Sequence, residues 1–230
     1  ILSLNSIIEF CLRKGINSMF KLLIACFAAL SLVFTPYTAV MAQTSLLTTM
    51  EQARQVVVKL ESNNPNIASS CSAVVVFPGQ VLTAAHCITI PELKLKLDDG
   101  RSYLVKEIWK HPDGKDIALL LVPGLPCPCA EHVSPTLSPP LQNELAYAVG
   151  YPYGEHNVLT VGHIQGRVIN IDNNQEYLLS TTSTAPGNSG GGLFVVRNDI
   201  VYLVGITVAY MGNPNLAVSV ELKGYSDYLL

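Results

Sequence analysis

The sequence predicts an all-β protein: two six-stranded antiparallel barrels joined by a proline-rich linker, with short helices at the termini. Three observations carry this. Short β-branched or alternating apolar segments recur along most of the 230 residues. A stretch with six prolines, 123-PGLPCPCAEHVSPTLSPP-140, divides them into two similar sets. Only 46-LLTTMEQARQ-55 and 221-ELKGYSDYLL-230, near the two ends, have helical patterning.

In order, the first set of strands is 54-RQVVVKLE-61, 73-AVVVFPGQVLTAA-85, 93-LKLKLDDGRSYLVKEIW-109 and 117-IALLLV-122. Asp99-Gly100 supplies a hairpin turn in the third, because that dipeptide accepts positive φ. The second set is 144-ELAYAVGYP-152, 158-VLTVGHIQGRVINI-171, 176-EYLLSTT-182, 193-LFVV-196, 200-IVYLVGITVAY-210 and 215-NLAVSV-220. Tyr151-Pro152 and Gly162 are expected at turns. The resulting division is a first barrel over 43–122, a linker over 123–140, and a second barrel with its closing helix over 141–230.

Residues 19-MFKLLIACFAALSLVFTPYTAVMA-42 have the three parts of a secretory signal peptide: Lys21, an apolar run from Leu22 to Phe34, and small residues ending at Ala42. The run is shorter than the roughly 20 residues needed to span a bilayer. Cleavage is therefore expected rather than anchoring, leaving no stable membrane association. A lipobox reading of 23-LIAC-26 leaves almost no hydrophobic region after Met19. Residues 1–18 are an upstream extension to which no role is given. Export places the rest of the chain outside the cell or in the periplasm.

Removing residues 1–42 takes Arg13, Lys14, Lys21 and Glu9 away, leaving 11 basic against 16 acidic residues, a net charge of −5. No basic run remains, so nucleic acid is not an expected partner. Four cysteines also remain, Cys71, Cys87, Cys127 and Cys129, and an even number in an exported chain reads as disulfides. Cys127-Pro128-Cys129 with His132 matches no ligand spacing, so neither a metal nor another cofactor is expected.

The chemistry concentrates in 183-STAPGNSGGGLF-194, where Ser189 lies among four glycines between two apolar segments. A serine hydroxyl needs a base beside it, and that base needs a group orienting it. The G-x-S-x-G expression also fits α/β-hydrolases, but those place their acid and histidine after the serine. Here His86, His111, His132, His156 and His163 all precede Ser189. The order available is His, Asp, Ser: His86 in 81-VLTAAHC-87, Asp116 in 116-DIALLLV-122, and Ser189.

These three segments resemble the motifs of chymotrypsin-like and trypsin-like serine endopeptidases. The likeness extends to 110-KHPDGKDIALL-120 and 203-LVGI-206 and covers roughly residues 55–220. It implies protein or peptide substrates, Ser189 as nucleophile, His86 as proton shuttle and Asp116 as its orienting partner. It also implies an oxyanion hole made by the amides of Gly187 and Ser189, and a disulfide between Cys71 and Cys87. Cys127 and Cys129 have no counterpart in the family; pairing with each other, with another chain, or remaining reduced are all open. The other four histidines are expected at the surface.

The wording 186-PGNSGG-191 is similar to the bacterial HtrA-type and glutamyl-endopeptidase branches. Only 41 residues follow Ser189, so a PDZ domain is not expected. Asn188 replaces the aspartate that digestive members pair with a freshly cut N-terminus, so no such salt bridge is expected. Ser183 and Thr207 stand where other members carry the charge or histidine that selects charged substrates. With Val208, Ala209 and Tyr210 continuing the pocket wall, cleavage after small or medium uncharged residues is expected. A binding protein on the same fold, or a secreted esterase using the same three groups, are the alternatives.

Overall fold

The first half of the chain builds one sheet from seven strands: β1 (Val57–Ser62), β2 (Ser70–Phe77), β3 (Gln80–Thr83), β4 (Leu93–Lys96), β5 (Ser102–Leu104), β6 (Glu107–Lys110) and β7 (Ala118–Leu121). The computed structural model describes residues 50–127, 133–135, 139–170, 174–212 and 216–222. In this sheet the order is β5-β4-β1-β2-β3-β7-β6, every pair antiparallel. No ladder joins its two edges among the described residues, where a closed six-stranded barrel was expected. The edges are instead consecutive in the chain. Between them Val105 N–H donates to Leu93 O and Lys106 N–H to Leu121 O. The segment 102–110 thus changes partner at one bend.

The second half is a closed barrel of six strands. Its members are β9 (Leu145–Gly150), β10 (Val158–Asn170), β11 (Gln175–Ser180), β12 (Gly192–Arg197), β13 (Ile200–Met211) and β14 (Leu216–Glu221). The order β12-β9-β10-β11-β14-β13 is closed by β12 pairing with β13. An added strand, β8 (Val133–Pro135), lies parallel to β13 on its outside. These three residues belong to the stretch expected to be linker. Proline is tolerated there because an edge strand need not use every N–H.

Other expectations need adjustment. Gly162 lies inside β10, paired with Ala146, and a Cβ there would collide with the Thr181–Thr182 backbone, so it marks a close approach rather than a turn. Residues 50–55 are helical as expected. The leader at 19–42, the rest of the first helix and residues 223–230 lie outside the described residues. Among the described residues no helix is long and apolar enough to cross a membrane.

One apolar cluster runs through both sheets, from Leu60, Leu82 and Leu120 to Val149, Phe194 and Ile206. A smaller one around Ile164, Leu178 and Leu193 fills the second barrel. Fully burying a side chain of this kind stabilises by about 1.5–3 kcal/mol, so the shared cluster holds the two sheets in one fixed relation. The barrel is tied further by Arg167, whose guanidinium donates twice to the buried Glu221 carboxylate at 2.8 and 2.7 Å. Arg197 grips Glu144 in the same fork geometry.

Candidate active site

β3 runs out at Thr83, and the buried Ala84 leads into a 3₁₀ turn, Ala85–Thr89, that lifts His86 to the surface. The turn is anchored by the Cys71–Cys87 disulfide, as the family likeness implies. Asp116 reaches His86 from the loop before β7. One carboxylate oxygen accepts the His86 backbone N–H at 2.8 Å and the other lies 2.7 Å from the ring Nδ1. Two-point attachment fixes both the position and the rotation of the ring.

The Asp116 hydrogen bond raises the His86 pKa above its ordinary value, outweighing burial, which lowers it; the charge on Asp116 adds to the rise. Burial pushes the Asp116 carboxyl upward, but hydrogen bonds from the His86 ring, the His86 backbone and the Ala85 backbone overcome it, and the net direction is down. The side chains are 46% and 28% exposed, so solvent tempers both effects. In an NMR titration the His86 imidazole should have its midpoint above about 6.5, falling in Asp116→Asn. The stabilisation from this pair should be complete below the ordinary histidine pKa and vanish as pH rises through the folded value. A midpoint unmoved by Asp116→Asn would contradict the pairing.

His111 departs from the surface position expected of it. Its side chain is only 5% exposed. Nδ1 accepts the Asp113 N–H at 3.0 Å, and its backbone bonds Ile117 O and Gly114 N–H. It therefore organises the loop that presents Asp116. His156 and His163 are exposed, while His132 lies outside the described residues.

Ser189 sits on a compact loop closed by Asn188 N–H to Ala185 O and Gly191 N–H to Asn188 O. Gly187 has φ +95° and Gly190 φ +85°, conformations that side chains disfavour. A Cβ at Gly187 would also run into the backbone of Tyr151 and Tyr153. Among the described residues the amides of Gly187 and Ser189 donate to no protein acceptor. Ser189 Oγ donates to Val208 O at 3.4 Å, and no hydrogen bond joins it to His86. The loop nevertheless abuts the histidine's turn: Cys87 Sγ is 3.6 Å from Ser189 O. Asn188 is buried, and among the described residues its Oδ1 has no hydrogen-bond partner.

Beside Ser189 opens a cavity of about 320 Å³ lined by Thr184, Ala185, Pro186, Thr207, Val208, Ala209 and Tyr210. No charged side chain lines it among the described residues. The four expected wall residues of β13 are present. Ser183 is not in the lining; it is exposed, and its carbonyl accepts from Thr160 Oγ1. A His86 ring nitrogen and the sulfurs of Cys71 and Cys87 lie within 4.8 Å, but the sulfurs are bonded to each other and are not thiolates. Cys127 is disulfide-bonded too, and Cys129 lies outside the described residues.

Ser72, buried on β2 beneath the loop, carried no signal in the sequence; a serine in an apolar strand reads as ordinary alternation. The same is true of Tyr153, whose N–H donates to Pro186 O at 2.6 Å.

The trypsin-like peptidase domain matches residues 71–206, which hold His86, Asp116 and Ser189. A Marinomonas sp. (strain MWYL1) protein described as a probable periplasmic serine endoprotease, DegP-like, is 31% identical over 127 residues. That match takes in 54% of this chain and 26% of that protein. A Pseudomonas putida (strain GB-1) protein with the same description is 30% identical over an equal span. The chain thus matches about a quarter of the length of these curated relatives. Among solved structures, the M. tuberculosis protease Rv3671c in its active form superposes with a TM-score of 0.66 at 18% identity, covering 79% of this chain and 82% of that one. The serine endoprotease from Yersinia pestis superposes with a TM-score of 0.60 at 22% identity, covering 75% and 61%. Identities this low speak for the fold alone, which is chymotrypsin-like. The chain belongs to the trypsin-like peptidase domain family.

Proposed function

We propose that this chain is an exported serine endopeptidase. The observation that carries the reading is the two-point grip of Asp116 on His86, set beside a loop whose Gly187 and Ser189 amides have no protein acceptor among the described residues. In the proposed reaction Ser189 Oγ turns from Val208 O toward the free ring nitrogen of His86. It loses its proton to that nitrogen as it attacks the substrate carbonyl carbon. Asp116 keeps the proton on Nδ1 and stabilises the imidazolium. The Gly187 and Ser189 amides receive the oxyanion, and His86 returns the proton to the leaving amine. Water then hydrolyses the acyl-enzyme by the same steps in reverse roles.

The uncharged cavity favours small or medium uncharged side chains before the scissile bond. Tyr210, 56% exposed at its mouth, limits their size. Periplasmic relatives and the leader pattern support action outside the cytoplasm. The test is labelling with a fluorophosphonate, followed by cleavage of a peptide library by the same sample. Labelling at Ser189 with cleavage after Ala, Val or Leu is expected. Tyr210→Gly should shift the preference towards larger apolar residues such as Phe by roughly tenfold in kcat/KM, the scale of a few methylenes in an apolar pocket. Absence of labelling would favour a binding protein, ester cleavage without amide cleavage an esterase, and dominant cleavage after Glu, Arg or Lys would overturn the pocket assignment.

A further inference from the structure

We propose that Ser72 is a positioning residue for this reaction, setting the peptide planes of the loop that receives the oxyanion. The inference rests on the function proposed above and deepens it. Ser72 is fully buried on β2 and holds the loop at two points. Its N–H donates to Ser189 O at 2.7 Å, and its Oγ–H donates to Gly187 O at 2.8 Å. The same Oγ accepts the Tyr151 N–H at 2.8 Å. Its own carbonyl accepts the Thr83 hydroxyl at 2.8 Å, fixing Ser72 from behind.

The oxygen is thus donor to one segment and acceptor from another, a combination that a hydroxyl supplies from a single atom. Both segments matter to the amide of Gly187. That N–H shares a planar trans peptide with Pro186 O, so the two point in opposite directions. Pro186 O is held by Tyr153 N–H, which lies in the Pro152–Gly154 turn directly after Tyr151. Ser72 Oγ therefore steadies the next carbonyl of the loop, Gly187 O, and also the segment that restrains Pro186 O. Without it the Pro186–Gly187 peptide is freer to rotate, and a carbonyl turned to where the amide points repels the developing negative charge instead of stabilising it.

Ser72→Ala removes the hydroxyl and leaves Gly187 O and Tyr151 N–H without that partner. Expected is a fall of roughly 10–100-fold in kcat with KM changed less than about threefold, since the loss of a whole oxyanion donor costs about 10²–10³. A peptide boronic acid, which forms a tetrahedral anion on the serine, should weaken by the same factor as kcat/KM. Peptide binding measured in a Ser189→Ala background should not change. A second variant guards against misfolding. Gly150→Ala keeps every hydrogen-bonding group but puts a methyl 3.0 Å from Ser72 Oγ and Asn188 Oδ1, and should reproduce the kcat loss in milder form. The proposal is overturned if Ser72→Ala retains wild-type kcat and boronate affinity. It is also overturned if peptide binding and boronate affinity fall together. A wild-type enzyme inert to fluorophosphonate and to peptides would instead overturn the function itself, and this inference with it.

Discussion

Ser189→Ala is expected to lower peptide hydrolysis by about 10⁴–10⁶-fold while leaving peptide affinity within about threefold. The size follows from what is removed. The hydroxyl oxygen is the proposed atom that bonds to the substrate, and the other hydroxyls lining the cavity among the described residues, on Thr184, Thr207 and Tyr210, lie on residues away from the Gly187–Ser189 amides. The small predicted change in affinity follows from the same geometry. Pocket walls come from β13 and from Thr184–Pro186, and the hydrogen bond by which the Ser189 hydroxyl meets them, to Val208 O, is long at 3.4 Å. Kinetics with amide substrates, and calorimetry with a non-cleaved peptide, measure the two separately. Residual activity above about 1% of wild type would show that Ser189 is not the nucleophile.

The second large effect concerns stability. Gly190→Ala is expected to destabilise the fold by about 3–5 kcal/mol, combining a side chain forced into positive φ with an overpacked interior. Gly190 has φ +85°, and a Cβ there would overlap the Ser72 carbonyl oxygen and the Thr83 hydroxyl, both fixed on the first sheet. The Gly190 N–H also donates to Thr207 O at 2.7 Å, so the loop cannot retreat without losing that bond to β13. Thermal unfolding should show Tm lowered by roughly 10 °C, given about 2–4 °C per kcal/mol at this chain length. A shift under about 2 °C would mean the two sheets part more easily than their shared core implies.

How much of this could be read from the sequence differs from residue to residue. The strands and the Asp99-Gly100 turn were legible because each is a local pattern with a local physical cause, whereas the Cys71–Cys87 bridge came from the family resemblance. His86, Asp116 and Ser189 were legible only by likeness to a family. Nothing in their spacing fixes which strands become neighbours. The role of Ser72 was not legible, because its partner Gly187 lies 115 positions away and an alternating strand hides one more polar residue. His111 misled for the opposite reason. A histidine in a polar, glycine-containing loop reads as exposed, whereas that loop folds back and covers the ring. The strand at Val133–Pro135 was masked by its prolines, which signal a linker unless an edge is free to receive them.

The direct hydrogen bond from Ser72 on β2 to Ser189 has a temporal side. A ribosome delivers the amino-terminal part first, so the imidazole and its carboxylate emerge well before the hydroxyl they are proposed to activate. The loop around Ser189 is completed in part by the late strand β13, where Thr207 O accepts the Gly190 amide. Until those strands are in place, the proposed nucleophile site is incomplete.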